Sequence, residues 1–260
     1  MRTNKLKIFL IASCLILGSG LSVLSVPATA KKAGEALDEK AVRELVIRTI
    51  RERPEIILEA LRSLEARAEA AKSSAAKDAI TKMATDIFRH KDDPIDGNPK
   101  GDITLVEFFD YQCGFCKKVH PTILRLLKED KNIRYVYKEF PILGQGSVLA
   151  ARAALAAKAM GQYAKFSNAL MESKGALNAK RIFSIASSIG LDVEKLKAEM
   201  ESGVEGVNKI IGRNYKLAEA LNINGTPAFV IGDQVIRGAA GYNALKSAIS
   251  QARLAKRAEQ

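Results

Sequence analysis

The sequence contains three cysteines, and two of them, Cys113 and Cys116, are separated by only two residues. A disulfide between such close positions closes almost no loop, so it stabilises the fold little by restricting the unfolded chain. A zinc site would need two further ligands, and His90 and His120 are the only histidines. The spacing therefore favours reversible redox chemistry between two thiols, with a metal site as the weaker interpretation.

The third cysteine, Cys14, lies in a segment typical of export signals. Residues 1–7 carry three cations and no acid, an apolar run follows over 8–26, and Ala28-Thr29-Ala30 resembles a cleavage site. We expect residues 1–30 to form a cleaved signal peptide, which places the mature chain in the periplasm or outside the cell. A retained membrane anchor and a lipoprotein cleaved before Cys14 are the alternatives.

The charge balance does not indicate nucleic-acid binding. Basic residues outnumber acidic ones, 41 against 29, for a formal net charge of +12. The cations are interspersed with acids, and no run of five like charges occurs anywhere in the chain. The composition, 47% hydrophobic and 27% charged over 260 residues, is that of a globular protein. We expect no nucleic-acid partner.

The region 31–91 is predicted to be helical, with one break at Arg53-Pro54. Apolar positions after the break are spaced by four and three residues, as in a heptad repeat. They are Ile57, Leu61, Leu64, Ala68, Ala71 and Ala75. The pattern favours a helix through which copies of the chain associate. An amphipathic helix packed on its own domain is the alternative.

The remaining chain alternates between strand and helix patterns. Within 92–144, a turn-rich linker over Asp92–Gly101 precedes a strand, the cysteine motif, a helix and a second strand. This βαβ order puts the cysteines at a helix N-terminus. The segment 145–221 is Ala-rich and helical, and 222–260 has two short strands and a final helix. The predicted strands are Ile103–Phe109, Ile133–Phe140, Ala228–Ile231 and Gln234–Arg237, and the predicted helices flanking them are Lys117–Asp130 and Tyr242–Arg257.

Two separated motifs resemble the exported DsbA family of thiol–disulfide oxidoreductases. Residues 108–121 are similar to the active-site strand and helix of that family, with Pro121 at the position of a helix kink. Thr226-Pro227 resembles the family's cis-proline loop. The 110 residues between Cys116 and Pro227 match a helical insertion. The resemblance implies an α/β class fold, a thioredoxin fold with a helical insertion, preceded here by an N-terminal helical region.

The dipeptide between the cysteines departs from the oxidase pattern. It is Gly114-Phe115, where the strongly oxidising members have Pro-His. Glycine followed by an aromatic residue, together with Thr226 before the proline, resembles the DsbC isomerases. The N-terminal helices resemble those of oligomeric proteins of the copper-sensitivity (Scs) group. These features favour an isomerase or reductase. A DsbA-type dithiol oxidase and a non-catalytic copper-binding or chaperone-like protein are the alternatives.

The resemblance assigns catalytic roles to the two cysteines. Cys113, expected at the exposed N-terminus of its helix, is the nucleophile, because the helix dipole and free N–H groups favour its thiolate. Cys116, one turn further in, resolves the mixed disulfide, and the two cysteines form the redox disulfide. Phe115 and Tyr111 are candidates for apolar contact with unfolded substrates, or for ordinary packing.

Other residues are assigned supporting roles. Glu107 matches a buried acid that relays a proton to or from the inner cysteine, with a solvent-facing strand residue as the alternative. We expect Pro227 to be cis and the Thr226 backbone to pair with an extended substrate. Lys138 is a possible partner for Glu107, and His120 is expected to cap or pack on its helix.

The resemblance also defines the expected partners. They are unfolded or misoxidised exported proteins and a membrane or soluble redox partner that resets the thiol pair. We expect a homo-oligomer formed through the N-terminal helices. No cofactor and no metal are expected to take part in the reaction.

Overall fold

The computed structural model describes residues 38–258, so the signal peptide expected at 1–30 lies outside the described range. The helices are α1 (Glu39–Glu52), α2 (Glu55–Lys82), α3 (Gly114–Glu129), α4 (Gln145–Ala159), α5 (Tyr163–Glu172), α6 (Ala179–Ser188), α7 (Val193–Ser202), α8 (Val204–Ala220) and α9 (Tyr242–Ala258). The strands are β1 (Ile95–Gly97), β2 (Ile103–Phe109), β3 (Ile133–Glu139), β4 (Ala228–Ile231) and β5 (Gln234–Arg237). The elements occur in the order predicted from the sequence, with β1 as an addition. Between residues 38 and 258, no helix is both long and apolar enough to cross a membrane.

The chain divides into two compact units between Ile57 and Leu58. In the first unit, the Asp38 side chain caps α1 by accepting a hydrogen bond from the Lys40 backbone N–H. The helix ends at Arg53, before Pro54, where the sequence predicted a break. None of the α1 residues is buried within the chain. Its apolar residues are therefore exposed.

The second unit is built on a five-stranded sheet in the order β1-β3-β2-β4-β5. β2 and β3 are parallel and are joined by α3, and the other neighbours are antiparallel. The linker expected at Asp92–Gly101 instead contributes edge strand β1, which pairs with β3. Gly97 has a φ of +69°, and a Cβ there would lie 2.6 Å from the Ile133 carbonyl oxygen. Only glycine permits this close approach.

Side chains alternate between the two faces of the sheet and build two cores. Leu105 and Tyr135 face the first core, which also contains residues from α3, α9 and the helical insertion. Val106 and Val136 face the second core, which contains Ile80 of α2 and part of α8. The C-terminal end of α2 therefore packs in the core of the second compact unit. The domain boundary that the sequence suggested near residue 91 does not match the boundary between the compact units.

The two predicted halves of the α/β fold thus meet in a single sheet, and α4–α8 form the helical segment between them. The N-terminal part of α2 is different, because its heptad positions all face solvent within the chain. Leu64, for example, is 61% exposed. The heptad positions are Ile57, Leu61, Leu64, Ala68, Ala71 and Ala75.

Candidate active site

The loop between β2 and α3 is held by the buried carboxylate of Asp110. Its oxygens accept hydrogen bonds from the Gln112 backbone N–H at 2.7 Å, the Ser147 hydroxyl at 2.7 Å and the Leu143 backbone N–H at 2.9 Å. The Asp110 carbonyl accepts from the Cys113 N–H at 3.1 Å. These bonds fix Cys113 as the N-cap residue of α3.

The sulfur of Cys113 lies against the loop that precedes β4. Its thiol donates a hydrogen bond to the Thr226 carbonyl at 3.2 Å. The Thr226–Pro227 peptide bond is cis, as predicted. The expectation that Cys113 is exposed was wrong, because only 6% of the residue is accessible. The Thr226 carbonyl lies against the sulfur and contributes to this burial.

Cys116 lies one turn further along α3 and is completely buried. Both cysteines are free thiols in this structure. Burial raises the pKa of the Cys116 thiol, and the nearby charge of Glu107 raises it further. Cys116 therefore needs a proton acceptor close by before it can act as a nucleophile.

Glu107 is buried, as the resemblance implied, and lies close enough to Cys116 for its charge to raise the pKa of that thiol. Burial raises the pKa of its carboxyl group to about 8, and the hydrogen bond from the Tyr135 hydroxyl opposes that shift. Tyr135 is on β3 opposite Leu105, two residues from the register position of Glu107 and on the same face of the sheet. The sequence analysis missed Tyr135, although strand alternation with a parallel neighbour could have placed it there.

Lys138 does not pair with Glu107, and this expectation was wrong. Alternation along β3 turns its side chain to the opposite face of the sheet. There its ammonium group, fully buried, donates to the Asp93 carboxylate and to the Asp86 carbonyl at 2.6 Å. Arg213 of α8 forms a second ion pair with Asp93. No cation therefore neutralises Glu107 within the described chain.

The other candidates of the motif occupy different environments. Phe115 is 64% exposed beside Cys113, so it is available for apolar contact with a substrate. Tyr111 is buried instead and donates a hydrogen bond to Glu139 at 2.7 Å. His120 is buried on α3, and burial lowers its pKa. Among residues 38–258, no three His, Cys, Asp or Glu side chains form a metal-binding cluster.

Two contacts that the sequence analysis missed attach the active-site helix to the helical insertion. The ammonium group of Lys117 donates to the carbonyls of Leu170, Met171 and Ser173 at 3.0, 3.1 and 2.8 Å, at the end of α5. The Gln112 side chain bonds to the insertion as well, accepting from the backbone of Leu177 at 3.0 Å. The insertion thereby holds both the loop and the first turn of α3 in place.

Comparison with known proteins places this site in a family. The model of the DSBA-like thioredoxin domain matches residues 104–250. A thioredoxin-like oxidoreductase from Silicibacter pomeroyi is 42% identical, with a TM-score of 0.63, covering 65% of this chain and 96% of its own. The thiol-disulfide exchange protein alpha-DsbA2 from Wolbachia pipientis is 29% identical, with a TM-score of 0.66, covering 70% and 97%.

A curated relative is much longer than this chain. The Na(+)/H(+) antiporter NhaA 1 of Salinispora arenicola is 25% identical over 90% of this chain, and the match spans 36% of that protein. The chain thus spans about a third of the length of this relative. The family match covers β3, β4, β5 and nearly all of β2, together with both cysteines, the helical insertion and the Thr226–Pro227 loop. The chain belongs to the DSBA-like thioredoxin domain family.

Proposed function

We propose that the chain exchanges disulfides with substrate polypeptides through Cys113 and Cys116, as an isomerase or reductase rather than an oxidase. One observation carries the proposal: the Cys113 sulfur sits at the N-terminus of α3, hydrogen-bonded to Thr226, with the buried Cys116 thiol behind it. This arrangement supports the proposal because it puts the outer sulfur at a helix N-terminus, beside the Thr226–Pro227 loop, and keeps the second thiol out of solvent.

The exchange begins when the Cys113 thiolate attacks one sulfur of a substrate disulfide. The S–S bond of the substrate breaks, a mixed disulfide forms, and the other substrate sulfur leaves as a thiolate. In isomerisation, a different substrate thiolate attacks the mixed disulfide and releases Cys113 unchanged. In reduction, Cys116 attacks the Cys113 sulfur, so the substrate leaves reduced and the enzyme is oxidised to the disulfide.

Glu107 supports the proton transfer at Cys116. A pKa of about 8 leaves most molecules protonated at neutral pH and a minority with a carboxylate. The carboxylate accepts the Cys116 proton as the inner thiol attacks, and the acid returns it when the disulfide is reopened. A group with its pKa near the working pH performs both transfers.

Self-association supports the isomerase interpretation over the oxidase interpretation. The apolar side chains of α1 and of the N-terminal part of α2 are exposed within the chain, including Leu45, Val46, Leu61 and Leu64. Exposed apolar side chains in such number on each helix are typical of an interface. A homo-oligomer formed through these helices presents several Cys113 thiols to one misoxidised substrate.

The proposed setting is the periplasm or the cell exterior. The signal-like segment 1–30 and a reactive thiol pair both fit a compartment in which disulfides form. The substrates are then exported proteins that are unfolded or wrongly paired. A membrane or soluble redox partner reduces the Cys113–Cys116 disulfide after each reductive turnover.

The test uses the mature chain, residues 31–260, with scrambled and with reduced ribonuclease. Recovery of ribonuclease activity from the scrambled form is expected, with slower oxidation of the reduced form. A Cys113→Ser variant should lose both activities. Rapid oxidation of reduced ribonuclease without recovery of the scrambled form would overturn the isomerase interpretation. No activity in either assay would overturn disulfide exchange.

Paired variants test the contribution of the N-terminal helices. A Leu61→Glu and Leu64→Glu double variant should become monomeric and lose most of the reshuffling, while still exchanging with a small disulfide. Arg62→Glu with Glu65→Lys changes exposed charges on the same helix and serves as the control. A shortened chain that begins at residue 92 is unsuitable for this test, because it lacks the core residues Ile80 and Ile87.

A further inference from the structure

A cavity of about 350 Å³ lies between α2 and the loop that precedes β4. Glu69 and Lys72 of α2 form one wall. Thr226 and Pro227 belong to the loop that precedes β4, and Arg237 and Gly238 line the cavity at the end of β5. The remaining lining residues are Asn222, Asn224 and Gly225. All of these residues belong to the same compact unit. We call this cavity the α2 cleft.

The α2 cleft opens next to the nucleophile. Thr226 lines the cleft, and the carbonyl of the same residue accepts the hydrogen bond from the Cys113 thiol. A polypeptide whose disulfide reaches Cys113 therefore passes over Thr226, and its neighbouring residues meet the cleft. The backbone leaves room for them, because a Cβ added at Gly225 or Gly238 would contact nothing within 4 Å.

The lining carries two cations and one anion. The Arg237 guanidinium donates to the carbonyls of Leu221 and Asn222 at 2.8 and 3.0 Å, so backbone contacts fix it without a carboxylate partner. Within the described chain, neither Glu69 nor Lys72 takes part in an ion pair. Two uncompensated cations against one anion favour a negatively charged group in the cleft.

We propose that the α2 cleft binds an extended segment of the substrate polypeptide and that Lys72 and Arg237 select an acidic side chain within it. This inference rests on the proposed disulfide exchange. It makes α2 part of the substrate-binding surface, in addition to its packing in the second core. Electrostatic selection at a partly exposed site adds moderate preference rather than an absolute requirement.

The test measures exchange rates with mixed-disulfide peptides. In one set an aspartate, and in the other a lysine, occupies successive positions on either side of the peptide cysteine. Each rate is divided by the rate of the same protein with a small, uncharged disulfide. The wild-type chain should prefer the aspartate peptide at one or two positions by about threefold to tenfold.

Charge variants decide whether the cleft causes the preference. Lys72→Glu should abolish or reverse the preference for the aspartate peptide, and Glu69→Lys should increase that preference. Arg62→Glu, on the same helix but outside the cleft, should leave it unchanged. An equal preference in all variants, or equal loss in Arg62→Glu, would overturn the inference. Failure of disulfide exchange itself would appear separately, as no reaction of the wild-type chain with the small disulfide.

Discussion

Two buried carboxyl groups lie on opposite sides of the same sheet and meet opposite electrostatic environments. Asp93, on the side of the second core, forms ion pairs with Lys138 and Arg213. Glu107, on the side of the cysteines, has a hydroxyl donor, Tyr135, and no cation within the described chain. Of these two acids, Glu107 is the one without a counter-charge, and burial raises its pKa to about 8.

The difference shows that buried acids on the two faces of one sheet can have different consequences, one for the stability of the fold and one for proton exchange. An ion pair compensates the buried charges of both partners and holds them in place. Desolvation alone raises the pKa of a carboxyl group, which creates a proton donor and acceptor at the expense of stability. If Lys138 faced Glu107, its charge would lower the pKa of that carboxyl group and make the carboxylate a weaker base in the proposed proton transfer.

The largest expected effect is on stability, at Asp93. The Asp93→Asn variant leaves the fully buried Lys138 ammonium group without its charge partner. We expect a loss of about 3–5 kcal/mol in the free energy of unfolding, measured by urea denaturation. The exchange rate of the remaining folded protein should be nearly unchanged. Asp233→Asn, at the exposed ion pair with Lys77, is the control and should cost less than about 1 kcal/mol.

The second effect is catalytic, at Glu107. A Glu107→Gln variant keeps an acceptor for the Tyr135 hydroxyl but cannot accept the proton of Cys116. We expect the resolving step, followed by release of substrate from a preformed mixed disulfide, to slow about 100-fold at pH 7. Formation of the mixed disulfide at Cys113 should change much less. Equal slowing of both steps would contradict the assigned role.

The same variant should have the opposite effect on stability. Because burial raises the pKa of Glu107 from 4.5 to about 8, the folded state retains a proton that the unfolded chain loses. Stability therefore falls as pH rises through this window. Glu107→Gln removes this loss, so the stability of the variant relative to the wild type should increase from pH 5 to pH 8 by about 3–4 kcal/mol. A pH-independent difference would show that Glu107 does not titrate in this window.

The smallest expected effect is at Tyr135. The hydrogen bond from its hydroxyl lowers the pKa of Glu107, so Tyr135→Phe should raise that pKa. The pH at which the resolving step reaches half its maximal rate should then move upward, with a rate loss of about threefold to tenfold at pH 7. Tyr137→Phe is the matched control, because that hydroxyl bonds to Asp96. A profile unchanged by Tyr135→Phe would rule out the tuning role.

The parts of the site that follow from local sequence were predictable. The cysteine spacing, the acid within an apolar strand and the Thr226–Pro227 pair are continuous motifs, and the structure brings them together. The hydrogen-bond partners of Glu107 and Lys138, which depend on strand register, could not be predicted from local sequence. Lys138 and Tyr135 both lie on β3, and only the pairing with β2 decides which of them faces Glu107.

The prediction of the fold from sequence was limited in the same way, because contacts between distant residues were not visible in local patterns. Four strands and the main helices follow from apolar patterns of ordinary length, and their boundaries agree closely with the structure. β1 has only three residues, Ile95–Gly97, between turn residues, so pairing with β3 rather than local preference makes it a strand. The exposure of Cys113 was misjudged because the covering carbonyl of Thr226 lies 113 residues away in the sequence.

That covering has a consequence for survival of the thiol under oxidative stress. Peroxides convert exposed thiolates to sulfenic acid and then irreversibly to sulfinic and sulfonic acids. With 6% of Cys113 accessible and its sulfur hydrogen-bonded to Thr226, few directions of approach remain open to an oxidant. The loop thus limits the access of peroxide to the Cys113 sulfur.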